Sequence, residues 1–272
     1  GSEAEMCGNG MRCVALYLKK YHAPTARKFR VKTLAGIIEP ELEPNGLIRV
    51  KMGKPSFKCR DLPMECKNEM FINQEFKVGL PDESIVKSAR LPCPSGMGEL
   101  PTADFTRIFR MSLGSSENLI PMKMTAVSVG NPHAIFFVKN VVKVPLMRLG
   151  PVIGLDYRFP QGVNVHFAQV VSKNTVRLVT WERGAGLTLA CGTGAVSTVS
   201  AGYKLGLLGT EVRAELPGGE LSIKLEIGKK GEIANTYLIG PAVEVFKGKW
   251  ETAQQFPSFG ASAPKPEGTN RM

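Results

Sequence analysis

The hydrophobic pattern of the chain repeats one arrangement in two distant places. An apolar stretch of helical length, Met11 to Tyr21, follows a Cys-Gly-x-Gly loop near the start. A second stretch, Ala195 to Leu205, follows a similar loop far downstream, and Gly206 ends it as glycine commonly ends a helix. The spacing predicts a helix in each place, and the repetition predicts two related parts of one fold.

Segments in which polar and apolar residues alternate, as in half-buried strands, follow each predicted helix. Turns rich in Pro, Gly and Asn join neighbouring segments into hairpins. The segments are Phe29 to Leu42 and Leu47 to Met52 after the first helix, and Glu211 to Leu216, Leu221 to Ile227 and Glu232 to Ile239 after the second. The order of loop, helix and hairpin in both halves predicts an α+β fold with two related lobes.

Composition suggests where these lobes end. Residues 64–120 are rich in Pro, Ser and Met, and prolines and glycines interrupt any regular element there, which predicts an irregular insertion. Residues 254–272 have the composition of a disordered tail. We therefore expect a first lobe over residues 1–62 and a second over 63–240 that contains the insertion. A final segment, 241–253, is expected to return to the first lobe.

Overall composition narrows the classes of function. The chain has 272 residues, of which 43% are hydrophobic and 22% charged, so it can bury a packed core. No apolar run approaches the ~18 residues of a membrane span and no leader opens the chain, which predicts a soluble cytoplasmic protein without a membrane partner.

The net charge of +11 is spread over residues 1–60 and 126–250. With few aromatics and no nucleic-acid module, it favours solvated faces, and nucleic-acid binding is the least favoured alternative.

The six cysteines divide into two groups. They are too sparse for a disulfide framework and show neither a C-x-x-C pair nor a histidine at zinc-ligand spacing, so we expect reduced thiols and no metal. Cys7 and Cys191 differ from the rest because each precedes a Gly-x-Gly and a predicted helix. The others are interpreted as buried or exposed bystanders: Cys13, Cys59, Cys66 and Cys93.

A cysteine at the start of a helix has a particular chemistry. The first-turn N–H groups lack partners and the helix dipole is positive there, so we expect the pKa of each thiol to fall. The glycines let the backbone present N–H groups to an anion such as a carboxylate. If the two lobes face each other, one thiolate removes a proton from a substrate carbon and the opposite thiol delivers another. That exchange inverts a stereocentre without a cofactor.

Four separate stretches of sequence contain the two cysteine loops or lie between them. They are Gly1 to Cys13 with Cys7-Gly8-Asn9-Gly10, then Gly130-Asn131-Pro132-His133, then Gly162-Val163-Asn164-Val165, and finally Trp181 to Ala195 with Glu182-Arg183-Gly184-Ala185-Gly186 and Cys191-Gly192-Thr193-Gly194. Together and in this order they resemble diaminopimelate epimerase, the cofactor-independent two-cysteine enzyme family of lysine and peptidoglycan-precursor biosynthesis. The first loop and the Glu-Arg-Gly-Ala-Gly run favour this family over its proline-racemase relatives.

The resemblance implies roles for individual residues. Cys7 and Cys191 would be the catalytic acid and base, and His133 and Glu182 would tune the pKa values of the two thiols. Arg183 suits bidentate capture of a distal carboxylate. The implied substrate-binding residues are Gly8, Asn9, Asn131, Asn164, Glu182, Arg183, Gly192 and Thr193. His22 and His166 gain no role from the resemblance and are interpreted as structural or surface residues.

The resemblance also implies an architecture. Each lobe would be a curved, mainly antiparallel sheet wrapped around its central helix, in two pseudo-symmetric copies, and the protein would be a homodimer that binds diaminopimelate. The family has a further segment ahead of the first cysteine loop, so we expect that the first lobe is truncated in this chain. Two alternatives stay open: a related two-cysteine racemase of another amino acid, such as histidine, and an inactive epimerase fragment.

Overall fold

A computed structural model describes residues 7–34, 36–79 and 119–249. Within these ranges the chain forms three α-helices and thirteen strands, which confirms the predicted α+β class. The helices are α1 (Gly8–Tyr21), α2 (Leu146–Gly154) and α3 (Gly192–Lys204). The predicted helices begin at Met11 and Ala195, whereas α1 and α3 begin three residues earlier, because the cysteine before each glycine is the N-cap.

The strands include the hairpins that the alternating segments predict. They are β1 (Val31–Thr33), β2 (Gly36–Ile38), β3 (Pro40–Leu42), β4 (Ile48–Gly53), β5 (Gln74–Gly79), β6 (Leu119–Ser128), β7 (Pro132–Phe137), β8 (Asn164–Ser172), β9 (Thr175–Glu182), β10 (Gly186–Thr188), β11 (Glu211–Leu216), β12 (Gly219–Ile227) and β13 (Ile233–Gly240). Short 3₁₀ turns lie at Cys59–Asp61 and Val141–Lys143.

Eleven of the strands belong to one sheet. Its order is β3-β4-β13-β12-β11-β9-β8-β7-β6-β5, with β10 paired to β9, while β1 and β2 form a separate ribbon. The pairs β7/β8 and β9/β11 are parallel and the others are antiparallel. The pairing of β13 with β4 sets Leu238 opposite Val50 and so joins the earliest strands of this sheet to its latest.

The two longer helices are buried to different degrees. Every residue of α3 from Gly192 to Gly202 is buried, which its small Gly, Ala, Ser and Thr side chains permit. In α1 only Gly8, Arg12 and Ala15 are buried. The sheet face around α3 carries a large apolar core to which β4, β9, β11, β12 and β13 contribute. Ala195, Val196 and Val199 of α3 pack into this core.

The structure corrects one expectation about the cysteines. Cys59 and Cys66 form a disulfide and are not the reduced bystanders that the sequence suggested. The 3₁₀ turn explains the proximity, because the Cys59 N–H donates to the Glu69 carbonyl and the Cys59 carbonyl accepts from the Met64 N–H. The sparseness of cysteines argues against a disulfide framework but says nothing about one local pair. Cys7, Cys13 and Cys191 are free thiols.

Some predicted segments fall on parts of the chain that are not described. Most of the insertion expected at 64–120 and all of the tail at 254–272 lie outside the described residues, as does Cys93. Among the described residues, those up to Ala242 belong to one compact unit and residues 243–249 belong to a second. The lobe boundaries and the return of segment 241–253 stay predictions. No helix in the described ranges is long and apolar enough to cross a membrane.

Candidate active site

The two cysteine loops have the same local structure. Cys7 is the N-cap of α1 with φ −131° and ψ 105°, and Cys191 is the N-cap of α3 with φ −119° and ψ 108°. Each cysteine carbonyl accepts the first helical hydrogen bond, from the N–H of Met11 or of Ala195, at 2.9 Å in both cases. The repeated sequence thus produces a repeated structure, with a thiol at each helix start.

One leucine side chain packs against both cysteine loops. A Cβ atom placed on Gly8 would lie 2.7 Å from Leu238 Cδ2, and one placed on Gly192 would lie 2.9 Å from the same atom. Asn9 bridges the loops directly, because its Nδ2 donates to the Ala190 carbonyl at 3.4 Å. The absence of a side chain at both glycines therefore allows the two helix starts to meet over β13.

The two thiols have different surroundings. Cys7 is exposed, and its Sγ accepts a hydrogen bond from the Gly10 N–H at 3.3 Å. Cys191 is only 3% exposed, and its Sγ lies 3.5 Å from Thr193 Oγ1. Burial, followed by the negative charge of Glu182, raises the pKa of Cys191 to about 12. The expectation that a helix start lowers the pKa of both thiols is wrong for Cys191, because desolvation outweighs the dipole there.

This contrast predicts an order of chemical modification. Iodoacetamide at mildly alkaline pH is expected to alkylate Cys7 and the exposed Cys13 well before Cys191, because burial shields the Cys191 thiol and raises its pKa to about 12, and thiolates are the reactive form. Peptide mass spectrometry over a time course gives the order, with Cys13 as the internal reference for an exposed thiol. Alkylation of Cys191 as fast as Cys13 would show that its thiol is not shielded in this way.

Glu182 is the last residue of β9 and lies near Cys191, and Arg183 follows it. Glu182 Oε1 accepts a hydrogen bond from Thr188 Oγ1 at 2.6 Å, which fixes the carboxylate near the Cys191 thiol. Arg183 is exposed, and its Nη1 donates to the Gln161 carbonyl at 3.3 Å. A fixed anion and a solvent-accessible guanidinium therefore lie on adjacent residues, so the site can bind a ligand that carries both charges.

Asn164 connects the strands around these residues. Its Oδ1 accepts from the Arg183 N–H at 2.9 Å, and its Nδ2 donates to the Pro132 carbonyl at 3.0 Å. Asn164 is buried, so these two bonds tie the start of β8 to the end of β9 and to the start of β7. One amide hydrogen and one lone pair remain for another partner.

His133 lies in a line of buried side chains that also contains His166. His133 Nε2 is 2.8 Å from Asn131 Oδ1, and His133 Nδ1 is 2.9 Å from His166 Nε2. Burial is the main cause that lowers the pKa of His166 to about 3 and the pKa of His133 well below its ordinary value; the charges of His166 and Arg183 add to the effect on His133. Both imidazoles are therefore neutral near neutral pH.

Of the two interpretations of His166, structural or surface, the structure supports the structural one, because the side chain is fully buried. A Cβ atom on Gly194, in the first turn of α3, would lie 2.1 Å from His166 Cε1. The sequence carried a signal for this position, because residues two apart in a strand share a face and Asn164 was already a candidate. His22 is the exposed C-cap of α1, and its ring packs on Tyr17.

Arg12 is a second residue that sequence reasoning passed over. It is 8% exposed, its Nε donates to the Pro241 carbonyl at 3.2 Å, and its buried Nη1 has no acceptor within the part of the chain that is described. Burial lowers the pKa of Arg12, and the neighbouring Cys13 and Cys7 thiols act in the opposite direction. A positive charge thus lies close to Cys7. In the sequence Arg12 is one residue of a helical pattern, and nothing in that pattern indicates that its side chain is buried near Cys7.

All of the candidate residues lie in one connected region. The helix starts meet through Leu238 and Asn9, the imidazoles reach α3 at Gly194, and Asn164 joins β7 to Arg183. The residues brought together are Cys7, Gly8, Asn9, Asn131, His133, Asn164, Glu182, Arg183, Cys191, Gly192 and Thr193. The arrangement puts a free thiol at each of two adjoining helix starts, where the first-turn N–H groups can hold an anion.

Comparison with known proteins gives a consistent result. The family model described as "Diaminopimelate epimerase" matches residues 1–58 and 125–245. The "Diaminopimelate epimerase" of Carboxydothermus hydrogenoformans is 38% identical over 250 residues, which cover 92% of this chain and 75% of that protein. That of Methanothermobacter thermautotrophicus is 40% identical over 252 residues, covering 91% and 74%.

A solved structure shares the fold at much lower identity. The crystal structure of the Bacillus anthracis phenazine biosynthesis protein of the PhzF family superposes with a TM-score of 0.51 and 15% sequence identity, covering 89% of this chain and 74% of that protein. At this identity the similarity concerns the fold alone. It supports the α+β architecture independently of the sequence motifs.

Proposed function

The chain belongs to the diaminopimelate epimerase family, and we propose that it is an isomerase that converts LL-diaminopimelate to meso-diaminopimelate without a cofactor. This reaction is a step in the synthesis of lysine and of peptidoglycan precursors. The observation that carries the proposal is the pair of free thiols, Cys7 and Cys191, each the N-cap of a helix and both on loops that contact Leu238.

The reaction requires proton transfer on both faces of one carbon. With the pKa of Cys191 raised to about 12, its thiol holds a proton and acts as the acid, while Cys7 as thiolate removes the α-proton from the opposite face. After one turnover the proton has moved from one sulfur to the other, so the roles exchange in the reverse direction. The positive charge of Arg12 lies near Cys7.

The carbanion that forms in this step needs electrostatic stabilisation. The N–H groups of Gly8 and Asn9 in α1 and of Gly192 and Thr193 in α3 belong to the first turns of their helices, where the backbone has no intrahelical acceptor. They are suited to hold the α-carboxylate, onto which negative charge spreads as the proton leaves. Binding the same carboxylate at both helix starts places the α-carbon between the two thiols.

The other end of the substrate carries a second amino group and a second carboxylate. Arg183 is exposed and suited to bind that carboxylate, while Glu182, Asn131 and Asn164 offer polar groups to the rest of the molecule. This set favours a substrate with two charged ends over a single-carboxylate amino acid. Assembly as a homodimer and a cytoplasmic location belong to the same proposal and are supported by the family resemblance.

Turnover with a panel of amino acids tests the proposal. The purified protein is expected to equilibrate LL- and meso-diaminopimelate from either side, as followed by chiral chromatography, and to leave histidine and other single-carboxylate amino acids unchanged. Turnover of the other amino acids alone would instead assign the chain to a related racemase. Absence of turnover with every substrate would favour an inactive epimerase-like protein.

A further inference from the structure

A line of four hydrogen-bonded side chains leads to Asn131 in the proposed active site. Thr180 Oγ1 lies 2.9 Å from His166 Nδ1, and His166 Nε2 lies 2.9 Å from His133 Nδ1. His133 Nε2 lies 2.8 Å from Asn131 Oδ1. The line joins β9, β8 and β7 and ends on a residue that we propose binds substrate.

Burial determines the protonation state of the two imidazoles in this line. His133 and His166 have no exposed surface, and Thr180 is 2% exposed. Because desolvation keeps both imidazoles neutral, each ring carries one N–H and one bare nitrogen. Every ring nitrogen already has one partner within the line, so each hydrogen bond determines the direction of the next.

The direction follows from the Asn131 end. Asn131 Oδ1 can only accept, so His133 Nε2 carries the proton and His133 Nδ1 is bare. His166 Nε2 must then donate to His133, which leaves His166 Nδ1 to accept from the Thr180 hydroxyl. Both imidazoles therefore carry their proton on Nε2. Reversing Asn131 would reverse every bond and place both protons on Nδ1.

The orientation of Asn131 has a consequence for ligand binding. With Oδ1 occupied by His133, the amide Nδ2 donates to no acceptor in the ranges that the structure describes, and Asn131 is half-buried beside the site. Asn131 therefore presents amide N–H donors to a ligand, while its Oδ1 is engaged by His133. A carboxylate oxygen is the natural partner for such donors.

We propose that Thr180, His166 and His133 form an orienting relay that holds Asn131 with its amide N–H groups available to a substrate carboxylate, and that His166 is a positioning residue of the reaction. The substrate part of this inference rests on the proposed function. His166 also supports the first turn of α3 through its contact at Gly194, so it joins the orientation of Asn131 to the helix that carries Cys191.

The tautomers of the two histidines test the relay directly. Long-range ¹H–¹⁵N correlation spectra of the ¹⁵N-labelled protein distinguish an Nε2–H from an Nδ1–H ring and both from a charged ring. The expected result is the Nε2–H form for His133 and His166, assigned with single His-to-Gln variants. An Nδ1–H form or a charged ring at either position would overturn the relay. This result does not depend on turnover, so it is separable from the proposed function.

Variants of Thr180 test its effect on substrate. Thr180→Val removes the only hydroxyl of the line and is expected to raise KM for diaminopimelate about tenfold, as for a weakened hydrogen bond to a charged group, with a much smaller change in kcat. Thr180→Ser retains the hydroxyl and is expected to restore KM. The matched control is Thr236→Val, which removes an equally buried hydroxyl bonded to the Gly53 carbonyl. An unchanged KM in Thr180→Val, or the same rise in Thr236→Val, would refute the relay.

Discussion

Replacing Cys191 with serine is expected to lower kcat for epimerisation by about a hundredfold to ten-thousandfold, the range of a lost general acid or base. A serine hydroxyl holds its proton far more strongly than a thiol, so it neither becomes a base nor donates efficiently to a carbanion. KM is expected to change little, because the backbone N–H groups of Gly192 and Thr193 remain in place. Steady-state kinetics in both directions give the two constants.

Cys7→Ser is expected to cause a loss of the same order, because each face of the carbon needs its own proton carrier. Cys13→Ser is the matched control: Cys13 is a free, exposed thiol in α1, the helix that Cys7 caps, and it has no role in the proposed proton transfer. Its turnover should stay within about twofold of the parent, as is usual for a surface substitution. Near-parental kcat in either active-site variant would reject the two-thiol scheme.

Gly194→Ala is expected to destabilise the fold and to lower kcat. The new Cβ would lie 2.1 Å from His166 Cε1 and less than 3 Å from both ring nitrogens, and the ring is held on both sides by hydrogen bonds. Overpacking of this kind costs about 1–3 kcal/mol, which chemical denaturation measures as a lower free energy of unfolding. Because the first turn of α3 must shift, kcat should fall as well.

Gly154→Ala is the matched control for this clash. Gly154 also lies in a helix, α2, but a Cβ there would approach its nearest neighbours, Trp181 Cδ1 and the Val163 carbonyl, no closer than 3.5 Å. Since alanine is favoured over glycine in helices by about 1 kcal/mol, this variant should keep or raise the free energy of unfolding. Equal stability of Gly194→Ala and Gly154→Ala would mean that His166 does not pack under α3 as described.

Local patterns in the sequence were sufficient for much of the fold. The apolar stretches after each cysteine loop predicted α1 and α3, and the alternating segments predicted the hairpins of β3 with β4 and of β11 with β12. These patterns do not indicate the pairing of β13 with β4, which brings Leu238 against both cysteine loops. That contact depends on residues far apart in the chain, and no local period records it.

For a similar reason, only part of the chemistry of the site could be predicted from the sequence. A helix start is a local feature, so its favourable effect on a thiolate could be expected from sequence, but the burial of Cys191 comes from strands that pack around α3. The pKa of that thiol is consequently raised and not lowered. His166 was missed because its importance lies in its bonds to Thr180 and His133, on neighbouring strands.

In the proposed mechanism one thiol removes a proton from the α-carbon and a different thiol delivers one. The most direct test is epimerisation in D₂O, starting from LL-diaminopimelate and stopped at low conversion, with the isotopic content of substrate and product measured by mass spectrometry. One deuterium is expected in the meso product and none in the recovered LL substrate, because the delivered proton comes from a thiol that exchanges with solvent. Deuterium in the recovered substrate at the level of the product, or a product without deuterium, would contradict this mechanism.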